Sequence, residues 1–297
     1  MVRYFLNKTT VLRVALSFCL WAMIYGSLIA ESGTEVLQGL VSIEDCEIQL
    51  EQYYKTGEYG FRNLFAAFDS VRTELYTAFN AQEQNKERET ILLAHYLEYA
   101  KLISTVYNYG GDRQCKKYVK IIDEEAAEFL KKTAARRKPA PRGIHRPQHG
   151  STGAAGHISR AELSALYLRY ADYLYTKLVL PENVFTIAAA LPVLYRKALL
   201  YDPGNTEAAV KLACWHIFPA NETTALYNSF IELQETALDV LSPTDQFTAY
   251  LLYSIYYMKK YNSQKGRAYL QKAAGLFPGH VLLSHLYENY AKGMFAL

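Results

Sequence analysis

The chain has 297 residues, 51% of them hydrophobic, and a mean hydropathy of −0.10, which excludes a protein disordered throughout. Its net charge of +3 is unevenly spread, because residues 1–30 and 131–160 carry eleven basic residues and no acidic one, which leaves 21 basic and 29 acidic residues elsewhere. This acidic body argues against general nucleic-acid binding, so no nucleic-acid partner is expected.

The first 32 residues predict a signal peptide or a membrane anchor. Three basic residues precede an uncharged apolar run from Val14 to Ala30, which is typical of an export segment and keeps the N-terminus on the cytoplasmic side. The small residues Ala30 and Ser32 favour cleavage by a signal peptidase. Trp21 and Tyr25 suit a retained anchor instead, so both alternatives stand.

Residues 33–132 predict an N-terminal helical lobe. Apolar residues recur there at three- and four-residue spacings, and no period-two alternation competes with helices. Breaks at 56–57, 80–85 and 110–112 divide the lobe into four helices of about 18 to 22 residues. The short connections make neighbouring helices antiparallel hairpins.

The four cysteines do not form a metal-binding pattern, because the sequence has no CxxC pair and no His/Cys cluster. Cys19 lies in the apolar segment, where lipid attachment is a third alternative, although Phe18 breaks the lipobox pattern. Cys46 and Cys115 could pair in an oxidising compartment. Burial within helices is the favoured interpretation for both of them and for Cys214.

Residues 133–158 predict a basic flexible linker. The segment holds three Pro, four Gly and three His residues and no aromatic residue, so no packed element is expected. Its five Arg and Lys residues leave contact with a polyanion or a membrane surface as the alternative.

Residues 159–297 predict a C-terminal helical domain with a repeated unit. Five prolines stand between helical stretches: Pro181, Pro203, Pro219, Pro243 and Pro278. Residues 247–280 form one 34-residue unit with large and small residues at fixed intervals: Tyr250, Tyr253, Ser254, Tyr257, Gly266, Leu270, Ala273 and Pro278. The end of an earlier unit and the start of the next follow the same spacing: Tyr195, Ala198, Pro203, Ala209, Leu212, Ala213 and His216.

This pattern resembles the tetratricopeptide-repeat (TPR) family, most clearly over residues 190–280 of the C-terminal domain, 159–297, and in a degenerate form over the N-terminal lobe, 33–132. In that family, small residues let two helices approach, large residues fill the seam and a proline ends the second helix. Ser254 and Gly266 depart from the family preference for glycine or alanine and for alanine, but both are small. The resemblance implies an all-α fold of antiparallel hairpins stacked as an irregular TPR-like superhelix, with a last helix, 281–292, as its cap.

The resemblance also implies a concave groove that binds a protein or peptide partner and carries no reaction. The residues that it would present to the partner are Tyr250, Tyr257, Asn205 and Lys211. The 26 tyrosines of the chain are interpreted mainly as packing residues, with an aromatic binding groove as the alternative.

No catalytic or cofactor motif occurs: the sequence has no phosphate loop, HExxH, GxSxG or dinucleotide fingerprint. The acidic stretch 123–128 could bind a cation, but a solvated helix face is the favoured interpretation. His216, His280 and His285 lack a nearby nucleophile or acid at a catalytic spacing and are interpreted as structural. We therefore expect no enzyme, no cofactor and no metal site.

Two functions follow from the pattern. The first is an exported or membrane-anchored adaptor that mediates protein–protein interaction in a cell-envelope complex, located in the periplasm or facing outward from a membrane. The alternative is a periplasmic accessory protein of a TRAP-type solute uptake transporter, with a small apolar ligand in a helical pore. A closed tyrosine-lined cavity would favour the alternative, and an open groove would favour the adaptor.

Overall fold

The structure, a computed structural model, describes residues 42–58, 64–81, 85–110, 113–135, 158–179, 184–217 and 225–293. Within these ranges the chain is all helical, which confirms the predicted fold class. The export or anchor segment, residues 136–157 of the predicted linker, Pro181 and Pro219 lie outside the described residues. The tetratricopeptide superhelix stays a prediction.

The described ranges contain α-helices and two short 3₁₀ helices. In chain order the α-helices are α1 Ile43–Thr56, α2 Leu64–Asn80, α3 Lys86–Gly110, α4 Arg113–Ala135, α5 Arg160–Thr176, α6 Val184–Tyr201, α7 Thr206–Ile217, α8 Ala225–Gln234, α9 Pro243–Lys259, α10 Ser263–Leu276 and α11 Val281–Ala291. The 3₁₀ helices are Lys177–Val179 and Glu235–Val240.

The three predicted breaks in the N-terminal half are confirmed. Helix α1 ends at Thr56 because Gly57 adopts a left-handed conformation, φ 73°, and its N–H donates to the carbonyl of Tyr53 at 2.8 Å. Helix α2 ends at Asn80, and α3 ends at Gly110. The lengths differ from the prediction: α1 has 14 residues and α3 has 25.

Helix starts follow from side-chain caps. The hydroxyl of Ser159 accepts a hydrogen bond from the N–H of Glu162, whose carboxylate accepts from the N–H of Ser159, a reciprocal capping box. Ser242 caps α9, and Pro243 follows at the first helical position, where its missing N–H costs nothing. Pro192 lies inside α6, although a proline interrupts the hydrogen bonds of a helix. Packing of α6 against α5 and α7 stabilises the helix there.

Helix α3 lies at the centre of the described helices. It packs against α1, α2, α4 and α5, and every residue from His95 to Val106 is buried. Burial on all sides explains why α3 shows little amphipathic pattern. Helix α3 precedes the basic segment and α5 follows it, and these two helices contact each other directly. The lobe boundaries read from the sequence stay a prediction.

Helices α9 and α10 form the hairpin expected over residues 247–280. A Cβ atom at Gly266 would lie 2.9 Å from Cγ of Met258 and 3.1 Å from the carbonyl oxygen of Ser254, so the two helices approach more closely than alanine permits. The hydroxyl of Ser254 donates to the carbonyl of Gly266 at 2.8 Å. The two residues that depart from the family preference thus form one contact.

The end of the chain packs back onto its described beginning. Tyr54 of α1 lies against Phe247, Phe277 and His280, with its ring centroid 4.7 Å from that of His280. The last helix, α11, spans Val281–Ala291 as predicted. None of the described helices has both the length and the apolar character needed to cross a membrane.

Candidate functional site

A partly enclosed cavity of about 250 Å³ lies where α1, α3, α5, α9 and α11 meet. Its apolar and aromatic lining comes from Leu50, Tyr54, Tyr175, Leu178, Leu251 and Leu282. Its polar lining comes from Lys101, Thr105, Asp172, Thr176, Thr244, Asp245 and Thr248. A concave apolar space with a few convergent polar groups is typical of a small-ligand site, and this volume lies just below the range of about 300–1,000 Å³ for such sites.

Three charged side chains of the polar lining, Lys101, Asp172 and Asp245, belong to a largely buried charge cluster that also includes Lys211 and Glu207. The ammonium Nζ of Lys211 lies 2.7 Å from Oδ2 of Asp172, 2.9 Å from Oδ2 of Asp245 and 2.9 Å from Oε1 of Glu207. A second ammonium, that of Lys101, lies 3.4 Å from Oδ2 of Asp245. The side chains of Lys101, Lys211 and Asp172 are about nine-tenths buried, whereas that of Glu207 is 39% exposed.

Four helices bring these charges together. Lys101 lies in the fully buried stretch of α3, Asp172 in α5, and Lys211 between the buried Val210 and Leu212 of α7. Asp245 lies in the first turn of α9, where the N-terminal end of a helix stabilises a carboxylate.

The two aspartates titrate in opposite directions. Burial raises the pKa of Asp172 from 3.8 to about 7, although Lys211 opposes the shift. Burial would also raise the pKa of Asp245, but Lys101 and Lys211 together outweigh it and hold that pKa well below its usual range. Burial disfavours the charged form of Lys211, yet Asp172 and Asp245 overcome this, so the pKa of Lys211 is raised and it stays an ammonium.

Asp172, Glu207 and Asp245 offer oxygen atoms within 4.8 Å of one another, a spacing suited to a cation. Lys211 donates to oxygens of all three, so its ammonium already occupies the position that a metal ion would take. We therefore assign the three carboxylates to ion pairing and not to a metal centre.

A smaller void of about 30 Å³ also borders the charge cluster. Tyr195 and Cys214 line it together with Asp172, Lys211 and Asp245. This volume can hold about one water molecule, and the polar groups around it supply the partners that a buried water needs. The main cavity and this void share four lining residues, Asp172, Tyr175, Asp245 and Thr248.

Comparison with protein-family models, curated proteins and solved structures finds no match to this chain. The tetratricopeptide resemblance therefore stays an interpretation of the sequence pattern.

The structure distributes the four predicted partner-binding residues over different environments. Lys211 lies in the charge cluster, and Asn205 caps α7 by accepting from the N–H of Ala208 at 2.9 Å. Tyr250 and Tyr257 pack against Tyr269, with ring centroids 5.9 Å away in both cases. Only Lys211 is near the cavity, so the four residues do not form one surface.

Tyr257 belongs to a polar cluster of its own around Glu235. The carboxylate of Glu235 accepts hydrogen bonds from the hydroxyls of Tyr257 and Tyr269, and from the ammonium of Lys265 at 2.7 Å. Burial would raise the pKa of Glu235, but these three donors outweigh it and lower the pKa. The hydroxyl of Tyr257 is therefore engaged within the fold.

Sequence reasoning missed Lys101, Asp172 and Asp245. A signal for two of them exists, since Lys101 and Asp172 each stand between apolar residues within a helix: Tyr99, Ala100, Leu102 and Ile103 around the first, and Ala171 and Tyr173 around the second. A charged side chain in such a position is buried only with a partner. The sequence does not say which charges pair.

The acidic stretch 123–128 forms ion pairs in the structure. Asp123 accepts from Tyr173 and Lys177, Glu125 pairs with Arg72, and Glu128 pairs with Lys132. The histidines take packing and hydrogen-bonding positions: His216 stacks on Tyr227, His280 stacks on Tyr54, and His285 bonds Asn289. The three described cysteines, Cys46, Cys115 and Cys214, are buried, and no disulfide bond joins any of them to another described cysteine.

Proposed function

We propose that this chain is a non-catalytic, TPR-like binding protein that holds a small ligand in the cavity between α1, α3, α5, α9 and α11. The observation that carries the proposal is the cavity itself, about 250 Å³ in volume, with leucine and tyrosine side chains on one part of its lining and a buried charge cluster on the other. Such a mixed lining fits a ligand with an apolar body and a polar group.

The charges distinguish this ligand from the wholly apolar one expected from the sequence. A hydrocarbon in the cavity would leave Oδ1 of Asp172 without a hydrogen-bond donor among the described residues, whereas a ligand with a polar group could supply one. The carboxylates and ammonium groups are held in ion pairs, so the site is built to bind and orient. A transport accessory role remains compatible with such a site, as does any other carrier or sensor role.

The proposal is tested by filling the cavity. Thr248→Phe places a ring into the lining, while Thr77→Phe is the matched control, because Thr77 is exposed on α2 and its hydroxyl likewise donates to the carbonyl four residues earlier. A library of small amphipathic compounds is screened by thermal shift, and native mass spectrometry of the purified full chain identifies co-purifying molecules.

We expect wild type and Thr77→Phe to be stabilised by the same compounds and Thr248→Phe to show no stabilisation. Binding that is unchanged in Thr248→Phe would place the ligand elsewhere. The absence of any bound compound in wild type would overturn the proposal.

A second candidate, an adaptor function, has its own observation on α6. Phe185, Val193 and Leu200 are exposed, Phe185 to 88%, and their spacings of eight and seven residues place them on one face of the helix. The exposed basic residues Arg196 and Lys197 border this stripe. An amphipathic partner helix with acidic residues beside its apolar face would complement it.

Crosslinked membranes and a pull-down with matched variants test this candidate. Leu200→Glu disrupts the stripe, and Leu233→Glu introduces the same change at an exposed leucine on α8. We expect wild type and Leu233→Glu to recover the same partner and Leu200→Glu to lose it. The crosslinks should lie in an acidic amphipathic segment of that partner. Equal recovery with both variants would remove the stripe from the binding surface.

We further propose that the chain is exported, with its helices on the outer side of the membrane. Support comes from the sequence of residues 1–32, which lie outside the described residues. Mass spectrometry of the native N-terminus separates a cleaved, an anchored and a lipidated form, and an intact, unmodified chain in the cytoplasm would contradict export.

A further inference from the structure

We infer that the cavity binds a small primary amine with an apolar body, and that the carboxylate of Asp172 receives its ammonium group. This inference rests on the proposed function and specifies its ligand. It follows from an unused carboxylate oxygen on the cavity wall, in a cluster that holds more carboxylates than ammonium groups once the partly exposed Glu207 is counted.

The cluster contains one negative charge too many. Two ammonium groups, Lys101 and Lys211, face three carboxylates, Asp172, Glu207 and Asp245. The neighbouring Glu98 does not change this balance, since it pairs with Arg169 at 2.8 Å. A buried cluster with surplus negative charge attracts one more positive charge, from a proton or from a ligand.

Asp172 is the member with room for that charge. Its Oδ2 accepts from Lys211 at 2.7 Å, and its Oδ1 has no hydrogen-bond donor among the described residues. Asp172 lines the cavity, whereas Glu207 does not. An ammonium group in the cavity would therefore find an acceptor at Asp172, with the leucines and tyrosines of the lining beside its apolar body.

An anionic ligand fits less well, although Lys101 lines the same cavity. The carboxylate of Asp245 lies 3.4 Å from the ammonium of Lys101. The carboxylates of Asp172, Glu98 and Glu47 also interact electrostatically with this ammonium. A carboxylate that approached Lys101 would meet these negative charges. His280, beside Tyr54, supplies no further cation, because burial lowers its pKa to about 4.

The titration of Asp172 agrees with this geometry. Four charged groups interact electrostatically with the carboxylate of Asp172: Lys101 of α3, Lys211 and Glu207 of α7, and Asp245 of α9. The hydroxyl of Tyr195 on α6 also interacts electrostatically with Asp172. Burial raises the pKa of Asp172 to about 7, so a proton supplies the missing positive charge at lower pH. Amine binding then displaces that proton, and affinity rises as pH increases from 6 to 8.

The test uses three compounds of similar size and different charge: phenethylamine, 2-phenylethanol and 3-phenylpropionate. Calorimetric titration of the full chain at pH 8 gives the three affinities, and titration in buffers of different ionisation enthalpy gives the protons released. We expect phenethylamine to bind at least about tenfold more tightly than the other two, since hydrogen bonds to charged groups are the stronger class. We also expect proton release near pH 7.

Asp172→Asn removes the charge while keeping the shape, and Glu207→Gln removes one charge from the same cluster outside the cavity. Phenethylamine should bind Asp172→Asn roughly tenfold or more weakly, whereas Glu207→Gln, which removes a carboxylate that is 39% exposed and does not line the cavity, should lose clearly less affinity. Proton release in wild type is measured without any variant, so a misfolded Asp172→Asn still leaves the test decisive.

Three outcomes are informative. Tighter binding of the alcohol or the carboxylate would overturn the amine assignment and leave the cavity as a ligand site. Equal loss in both variants would assign the effect to net charge and overturn the role of Asp172. No binding of any compound, together with an empty library screen, would overturn the proposed function as well.

Discussion

The ammonium of Lys211 lies 2.7 Å from the carboxylate of Asp172, 39 positions earlier in the chain, and the side chains of both residues are about nine-tenths buried. The same ammonium contacts Asp245 and Glu207, so the ion pairs of one lysine on α7 link this helix to α5 and α9. Buried ion pairs stabilise little relative to apolar residues but cost much when only one partner is removed.

Lys211→Met should therefore be strongly destabilising. Among the described residues, the change leaves three carboxylates with one ammonium group, that of Lys101, near them, and we expect a loss of about 3–5 kcal/mol in the free energy of unfolding. Lys55→Met is the control, because its pair with Glu51 is largely exposed and exposed pairs contribute about 0–1 kcal/mol. Chemical denaturation measures both. Equal losses would contradict the importance of the buried cluster.

Asp172 should make the stability of the fold depend on pH. Burial raises its pKa from 3.8 in its ordinary state to about 7, so the folded chain binds this proton more tightly than the unfolded chain. The folded state then loses stability from this group as pH rises from 3.8 to about 7, and the loss is constant above that window.

Asp172→Asn removes this dependence, because an amide does not titrate. The stability of wild type relative to Asp172→Asn should fall by roughly 2–4 kcal/mol across the window. Urea denaturation at pH 4, 5, 6, 7 and 8 gives the two profiles. Parallel profiles would show that Asp172 ionises normally in the folded chain.

Gly266→Ala should destabilise the α9–α10 hairpin even though alanine favours helices. The new Cβ would lie 3.1 Å from the carbonyl oxygen of Ser254, which is backbone and cannot rotate away, and 2.9 Å from Cγ of Met258. Gly275→Ala on the same helix is the control, since no atom lies within 4 Å of its added Cβ.

We expect Gly275→Ala to raise the melting temperature, with a gain of up to about 1 kcal/mol from helix propensity, and Gly266→Ala to lower it. Thermal unfolding followed by circular dichroism compares the two. A gain for both variants would mean that the helices separate easily at Gly266.

Glu235→Gln should destabilise the fold by weakening the polar cluster around Glu235, and the size of this effect should depend on pH. Three donors lower the pKa of Glu235 below its ordinary value of 4.5, so its contribution is fully present above pH 4.5 and is lost as pH falls through the folded-state pKa. We expect a loss of about 1 kcal/mol at pH 7, discounted because the site is partly exposed, and a smaller loss at pH 3.

Glu232→Gln is the matched control for this prediction. Glu232 also accepts from a tyrosine and a lysine, Tyr256 at 3.1 Å and Lys260 at 2.8 Å, but its side chain is 49% exposed. Glu232→Gln should lower the free energy of unfolding at pH 7 by less than Glu235→Gln does. A pH-independent cost for Glu235→Gln would show that its carboxylate is not the stabilising form.

The sequence by itself determined the local structure of this protein. Apolar spacing predicts helices, and the break predicted at 56–57 marks where one of them ends, because such signals act within a few residues. The close approach of Ser254 and Gly266 was also anticipated, since both lie in one hairpin and their small size is visible in the pattern.

Only the tertiary structure decided the site. Lys101 and Asp245 are 144 positions apart and meet because α3 is central and α9 packs near its buried face. A sequence pattern indicates which charged side chains need a partner of opposite charge. It does not indicate which residue that partner is, because the pairing of buried charges depends on how helices distant in sequence pack together. The cavity has the same origin, since its volume is the space left where five separate helices meet.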